Sequence, residues 1–237
     1  MTNEIEALIA GLSQPQKSIA PKYFYDETGS GLFEEITALP QYYLTSTELG
    51  FMNSYIYEFA AIVGPQASLI EFGSGSSVKT RLLLEHLDEL AAYVPVDISE
   101  EHLLESQRSI RAAFPHLEVL PVVADFTHPF SLPVPATMPL RNVVYFPGST
   151  IGNFEYDDAA DLLRVMHEEA GDGGALLNGV YLQKEPAVIH DEYNNSPGVT
   201  ARYNHKMQRK HKREIGIHIK LGEIHHTATY DTEERRV

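Results

Sequence analysis

The sequence predicts an α/β fold in which a mostly parallel sheet is covered by helices on both faces. Three observations carry this prediction. Short apolar runs alternate with helix-like stretches through the centre of the chain, the runs are apolar on both sides, and a glycine-rich turn joins the first run to the helix behind it.

Residues 1–46 do not read as sheet core. They hold a short helical start, a Pro-punctuated stretch from Pro15 to Pro21, and the aromatic run YFYDETGSGLFEEITALPQYY. From Thr47 to Val63 apolar residues recur at helical spacing (Leu49, Met52, Ile56, Phe59, Ala60, Val63), and Gly64-Pro65 closes what reads as one helix. The alternation follows: ASLIEF then KTRLLLEHLDELAAY, YVPVDI then EEHLLESQRSIRAAF, LEVLPVVADF, RNVVYF then DDAADLLRVMHEEA, and GALLNGVYL. Five strands are complete by Leu182. The tail from Gln183 to Val237 is polar, rich in His and Tyr, and ends in a strand-like pair, GEIHHTATYD. The expected organisation is a core over residues 47–182 and a smaller α+β lobe built from 1–46 and 183–237, without internal repeats.

Composition narrows the function. Acidic residues outnumber basic ones 33 to 18, and a formal net charge of −15 repels phosphate backbones and anionic membranes, so nucleic acid is not an expected partner. The absence of cysteine removes disulfides, thiolate zinc sites, iron–sulfur clusters and cysteine nucleophiles. The N-terminal MTNEIEALIAGLSQPQ lacks a basic segment feeding an apolar one, and no run approaches the ~18 apolar residues that span a bilayer. The expectation is a cytoplasmic protein without membrane association.

The strand ASLIEF runs into Gly73-Ser74-Gly75-Ser76-Ser77 and then a helix, the place where open α/β sheets hold an anionic or nucleotide ligand. Glycines let backbone amides approach a ligand without a Cβ in the way. Gly73 to Thr80 nearly spells a phosphate-binding loop, but Val78 stands where that loop needs glycine, which argues against ATP or GTP. A dinucleotide fingerprint wants a third glycine after Gly75, and none follows.

Acids at successive strand ends point elsewhere. Asp97 closes the second strand, where a carboxylate accepts both ribose hydroxyls; Asp125 closes the third beside Phe126, positioned for an adenine amino group and its ring face. Glu71 precedes the glycines, where it either orders the loop or faces a cationic aminoacyl end. The three in register look like the S-adenosylmethionine site of class I methyltransferases.

With these motifs in view, the chain resembles the histidine-specific methyltransferases that make trimethylhistidine (hercynine), the first step of ergothioneine biosynthesis. The resemblance runs from about Pro21 to Val237 and rests on YFYDETGSGLFEEITALPQYY, EFGSGSSVKTRLLL, VPVDIS, FPGSTIGNF and EYNNSPGVTARYN. It implies a Rossmann-like class I methyltransferase sheet, S-adenosylmethionine as cofactor and L-histidine as substrate. Carried over by motif, it implies that Tyr42 and Asn153 hold the substrate, that Tyr193 grips its carboxylate, and that Gly73, Lys79, Asp97, Asp125 and Phe126 touch the cofactor. No catalytic acid or base is expected. Methyl transfer from a sulfonium needs a neutral amine held near ~3 Å from the carbon, so positioning supplies most of the rate.

The resemblance also implies family members several tens of residues longer, the extra part carrying the last strands of the sheet and a Glu and a Ser that read the imidazole. The expectation is therefore a five-stranded sheet, incomplete at its C-terminal end, with an apolar edge and poor turnover of histidine by this chain. Tyr181 stands where relatives have an acidic residue. Two other readings share part of the evidence: a methyltransferase for another small amine or amino acid, and a non-catalytic remnant that binds the cofactor. Two constellations are set aside. His225 and His226 are adjacent on an expected strand and point to opposite faces, so they cannot share a metal ion with His218. Arg202 to Arg213 holds six Lys or Arg at helical spacing and reads as a solvated helix face.

Overall fold

All six residues of β1 (Ala67–Phe72) are buried, as an apolar run lying between two layers of helices must be. The computed structural model describes residues 2–24, 27–75, 78–194, 198–206 and 225–233. Beside β1 lie β2 (Ala92–Asp97) and β4 (Arg141–Phe146), and outside them β3 (Val122–Val123) and β5 (Ala175–Asn178). The sheet order is β3-β2-β1-β4-β5, and every pairing is parallel.

From β1 the chain steps one way to β2 and β3, and from β4 it steps the other way to β5. Right-handed crossovers then place the connecting helices on opposite faces. The cores agree. Leu69, Tyr93, Val143 and Tyr145 pack with residues of α3 (Leu44–Ser54), α4 (Ile56–Val63), α5 (Val78–Leu84) and α6 (Glu100–Ala113). Ile70, Phe72, Val94, Val144 and Phe146 pack with Leu162, Val165 and Met166 of α7 (Tyr156–Ala170).

The chain divides into two compact units, residues 43–183 and residues 1–42 with 184–237. The first holds the sheet. The described part of the second holds α1 (Thr2–Leu12), a 3-10 turn at Pro21–Phe24, α2 (Glu27–Thr37), α8 (Pro186–Tyr193) and a helical stretch over 199–206. Phe24 stacks on Tyr203 with centroids 5.3 Å apart, and Phe33 lies against both Tyr42 and Tyr203. Among the described residues no helix is long and apolar enough to cross a membrane.

Four expectations need correction. The helix read over Thr47 to Val63 is two, broken at Tyr55 (φ −124°, ψ 24°). Just before the break Asn53 Nδ2 and the Ser54 hydroxyl bond back to the carbonyls of Leu49 and Gly50, a local competition that weakens helix continuation. The helix expected to run to Tyr93 ends at Leu84, and Ala91 N–H donates to Ala67 O at 2.9 Å, drawing the end of that stretch into the sheet. The third strand shrinks to two residues plus a bridge between Tyr93 and Val119, because Pro121 has no N–H to give the ladder. The strand pair over GEIHHTATYD lies partly outside the described residues, and the described part, 225–231, forms no strand beyond a single bridge residue at Asp231.

Candidate functional site

Between β1 and β4 the chain leaves the C-terminal edge of the sheet in opposite directions, which opens the crevice where such sheets take ligands. Side chains alternate along β1, so Glu71 and Phe72 leave it on opposite faces. Glu71 is 2% exposed. The Thr80 hydroxyl of α5 donates to its Oε1 at 2.5 Å, and the Tyr93 hydroxyl of β2 donates to its Oε2. Burial lifts this carboxyl from the ordinary 4.5 to about 7, against the lowering effect of both hydrogen bonds and of Lys79. Of the two roles the sequence offers for Glu71, these contacts perform the first: the carboxyl ties β1 to α5, and so orders the turn between them.

That turn begins at Gly73, whose φ of +70° disfavours any side chain. Its N–H donates to Val96 O at 2.8 Å, and a Cβ added there would meet the Phe126 ring at 3.5 Å. Phe126 sits in this place because its ring packs between Phe72 and Phe146, at 5.5 and 5.8 Å. Asp97, half-buried at the end of β2, accepts from Gly75 N–H at 3.4 Å through Oδ2 and from Ser99 N–H at 2.9 Å through Oδ1. Asp125 lies two residues beyond the shortened β3 and not at its end; its Oδ1 accepts from the backbone and hydroxyl of Thr127 at 3.2 and 2.5 Å. Gly73, Gly75, Asp97 and Phe126 therefore converge on one rim. Ser76 and Ser77 lie outside the described residues.

The other bank of the crevice is the loop after β4. Gly148 N–H donates to Glu48 Oε1 of α3 at 2.9 Å, and Glu48 Oε2 lies 2.5 Å from Lys79 Nζ. Ser149 takes a left-handed conformation (φ 56°), and its Oγ accepts from Tyr181 N–H at 2.9 Å. A 3-10 turn over Thr150–Asn153 then presents Asn153 at the surface. Sequence reasoning singled out Lys79 and Asn153 but not Glu48. A lone carboxylate on an amphipathic helix gives no signal of what lies across from it.

Tyr42 and Tyr193 belong to the other unit. Tyr42 is 8% exposed and meets Phe33 edge-on at 6.2 Å. Tyr193 ends α8, and its carbonyl accepts from His226 Nε2 at 2.9 Å, while Asn204 Nδ2 donates to His226 Nδ1 at 2.9 Å. Asn194 adds a pair of bonds to the backbone of Ala228, at 2.9 and 3.0 Å. Both His226 ring nitrogens are thus engaged with protein, which corrects the strand geometry used to set its metal binding aside: the reason is hydrogen bonding. His218 and residues 207–213 of the basic stretch lie outside the described residues.

Comparison with known proteins matches this arrangement to one family. Residues 4–237 match the family described as "Histidine-specific methyltransferase, SAM-dependent". A "Histidine N-alpha-methyltransferase" of Mycolicibacterium smegmatis is 34% identical over 232 residues, which covers 96% of this chain and 71% of that protein. The protein of the same name from Mycobacterium tuberculosis is 33% identical with the same coverage. "Ergothioneine biosynthesis protein 1" of Neurospora crassa is 32% identical over 180 residues, 74% of this chain and 20% of that one. The rim of Gly73, Asp97 and Phe126 on a β3-β2-β1-β4-β5 sheet is thus that of a chain belonging to the histidine-specific, S-adenosylmethionine-dependent methyltransferase family.

Proposed function

We propose that this enzyme transfers methyl groups from S-adenosylmethionine to the α-amine of L-histidine, ending at Nα,Nα,Nα-trimethylhistidine, the first step of ergothioneine biosynthesis. The observation that carries the reading is the cradle on the sheet's rim: a left-handed glycine under an aromatic ring, flanked by a carboxylate already bonded to the loop. Each Asp97 oxygen takes one backbone N–H and retains acceptor capacity, so the pair suits two ribose hydroxyls. The Phe126 face suits a purine, and Asp125 its amino group. Gly73 and Gly75 leave room for close approach, Lys79 stands at the mouth of α5, and Glu71 holds the wall behind them.

When bound, S-adenosylmethionine supplies an electrophilic methyl group on sulfur. The protein's part is to hold a neutral amine in line with it and to keep water out. By family resemblance Tyr42, Asn153 and Tyr193 orient the amino acid, and amide and phenol donors satisfy a carboxylate without burying an unpaired charge. A small free amino acid, and not a nucleic acid, is the partner that a net charge of −15 favours.

Calorimetric titration tests the reading. S-adenosylhomocysteine should bind to the chain, and L-histidine should bind in its presence. Binding of neither compound would overturn the proposal, and binding of the first with another amino acid preferred over histidine would replace the substrate.

A further inference from the structure

Glu48 lies on α3, outside the strand–helix units that build the rim, yet its carboxylate is where four segments meet. Its Oε1 accepts from Gly148 N–H at 2.9 Å, which fixes the first residues of the loop that carries Asn153. Its Oε2 pairs with Lys79 Nζ at 2.5 Å, which fixes the side chain at the start of α5. The chain leaving β5 crosses directly over the same carboxylate. A Cβ on Gly179 would come within 2.5 Å of Glu48 Oε1 and 3.2 Å of Gly148 N, so a side chain there would displace the carboxylate. The two charged side chains are 17% and 18% exposed. A pair this sheltered is screened less than one at the surface, and losing one partner strands the other.

We propose that Glu48 is a positioning residue, whose carboxylate holds Lys79 and the Asn153 loop in one arrangement and thereby sets the affinity for S-adenosylmethionine. The proposal rests on the function given above, in which Lys79 faces the cofactor. Lysine has a flexible four-carbon stem, so an ammonium held in place before binding loses less freedom when the ligand arrives. The carboxylate also couples the two banks of the crevice, because one oxygen serves each.

The test is a double-mutant cycle read by S-adenosylhomocysteine affinity. Glu48→Gln keeps the shape and removes the charge; it should weaken binding about tenfold. In a Lys79→Met background the same substitution should cost less than about twofold, because the group through which Glu48 acts is gone. Gly179→Ala is the second variant. It leaves Glu48 and Lys79 in place but pushes a methyl group against the carboxylate, and it should weaken binding by a similar factor. Asp97→Ala is the control for the underlying function. If Asp97→Ala weakens binding while Glu48→Gln and Gly179→Ala leave it unchanged, the positioning role is wrong. Equal losses from Glu48→Gln in both backgrounds would also overturn it, since that is the behaviour of a purely structural residue. If Asp97→Ala has no effect either, the cofactor site itself has been misplaced, and the function falls before the inference does.

Discussion

Two carboxylates end successive strands of the same sheet and lead different lives. Glu71 is shut between β1, β2 and α5, takes two hydroxyl hydrogen bonds and is lifted by burial to about 7. Asp97 stands half-buried on the rim, takes backbone N–H groups from the loop on either side and keeps lone pairs for something else. Position along the strand explains the contrast, since by register both side chains leave the sheet on the face that carries Leu69 and Tyr93. Glu71 lies where helices seal that face, whereas Asp97 closes its strand where the sheet meets solvent. Acid near a strand end is therefore not enough to mark a ligand contact; how far it stands beyond the helix-covered part of the sheet separates a sealed carboxyl from one on the rim.

The largest effect that sharpens this contrast is a pH dependence of stability. Below about pH 4.5 Glu71 is protonated in the folded and unfolded chain alike. As pH rises toward 7 the unfolded chain releases the proton while the folded one keeps it, so the folded state loses ground by up to on the order of 3 kcal/mol. Glu71→Gln cannot titrate, so its melting temperature should rise relative to the parent between about pH 5 and 8. Melting curves that stay parallel across that range would show that burial does not perturb Glu71 as described.

Next comes Asp97→Ala. If Asp97 accepts two ribose hydroxyls as proposed, removing it leaves them unpaired, a loss of about 1–3 kcal/mol that should appear as at least a tenfold weaker S-adenosylhomocysteine titration. Its melting temperature without ligand should change little. The opposite pattern, a large drop in melting temperature with affinity intact, would make Asp97 a second Glu71 and erase the distinction.

Gly73→Ala should cost about 1 kcal/mol of stability through its left-handed backbone alone, with a further loss of affinity because its methyl fills the space under Phe126. The smallest effect on the cofactor is expected at Asn153→Ala, which should leave S-adenosylhomocysteine within about twofold while weakening histidine. If that variant lost cofactor and kept histidine, the two banks of the crevice would have to exchange roles.

The sequence made the centre of the sheet legible and its margins less so. The runs behind β1 and β4 are apolar and free of Pro and Gly, the run behind β2 forms its strand although Pro95 lies within it, and the helices α6 and α7 begin and end within a residue or two of their apolar pattern. The margins depend on particular residues acting through backbone hydrogen bonds: Pro121 interrupting β3, Ala91 drawn toward Ala67, Tyr55 breaking a helix that its apolar spacing joins. The rim was readable because Gly73, Asp97 and Phe126 follow strands in fixed order. Glu48 was not, since its meaning comes from Gly148 and Gly179, residues 100 and 131 positions away, and nothing in the spacing of α3 announces them.

The proposed chemistry has its own pH signature. An α-amine has an ordinary pKa of about 8, so methylation should rise with pH through the neutral range, and a flat profile would mean that the site lowers that value or that another step limits the rate. The most direct test of the whole account is to incubate the protein with methyl-labelled S-adenosylmethionine and L-histidine and locate the label by nuclear magnetic resonance. Label should appear on the α-nitrogen and accumulate to the trimethylated product. Label on an imidazole nitrogen, or none on histidine while another amine accepts it, would contradict it.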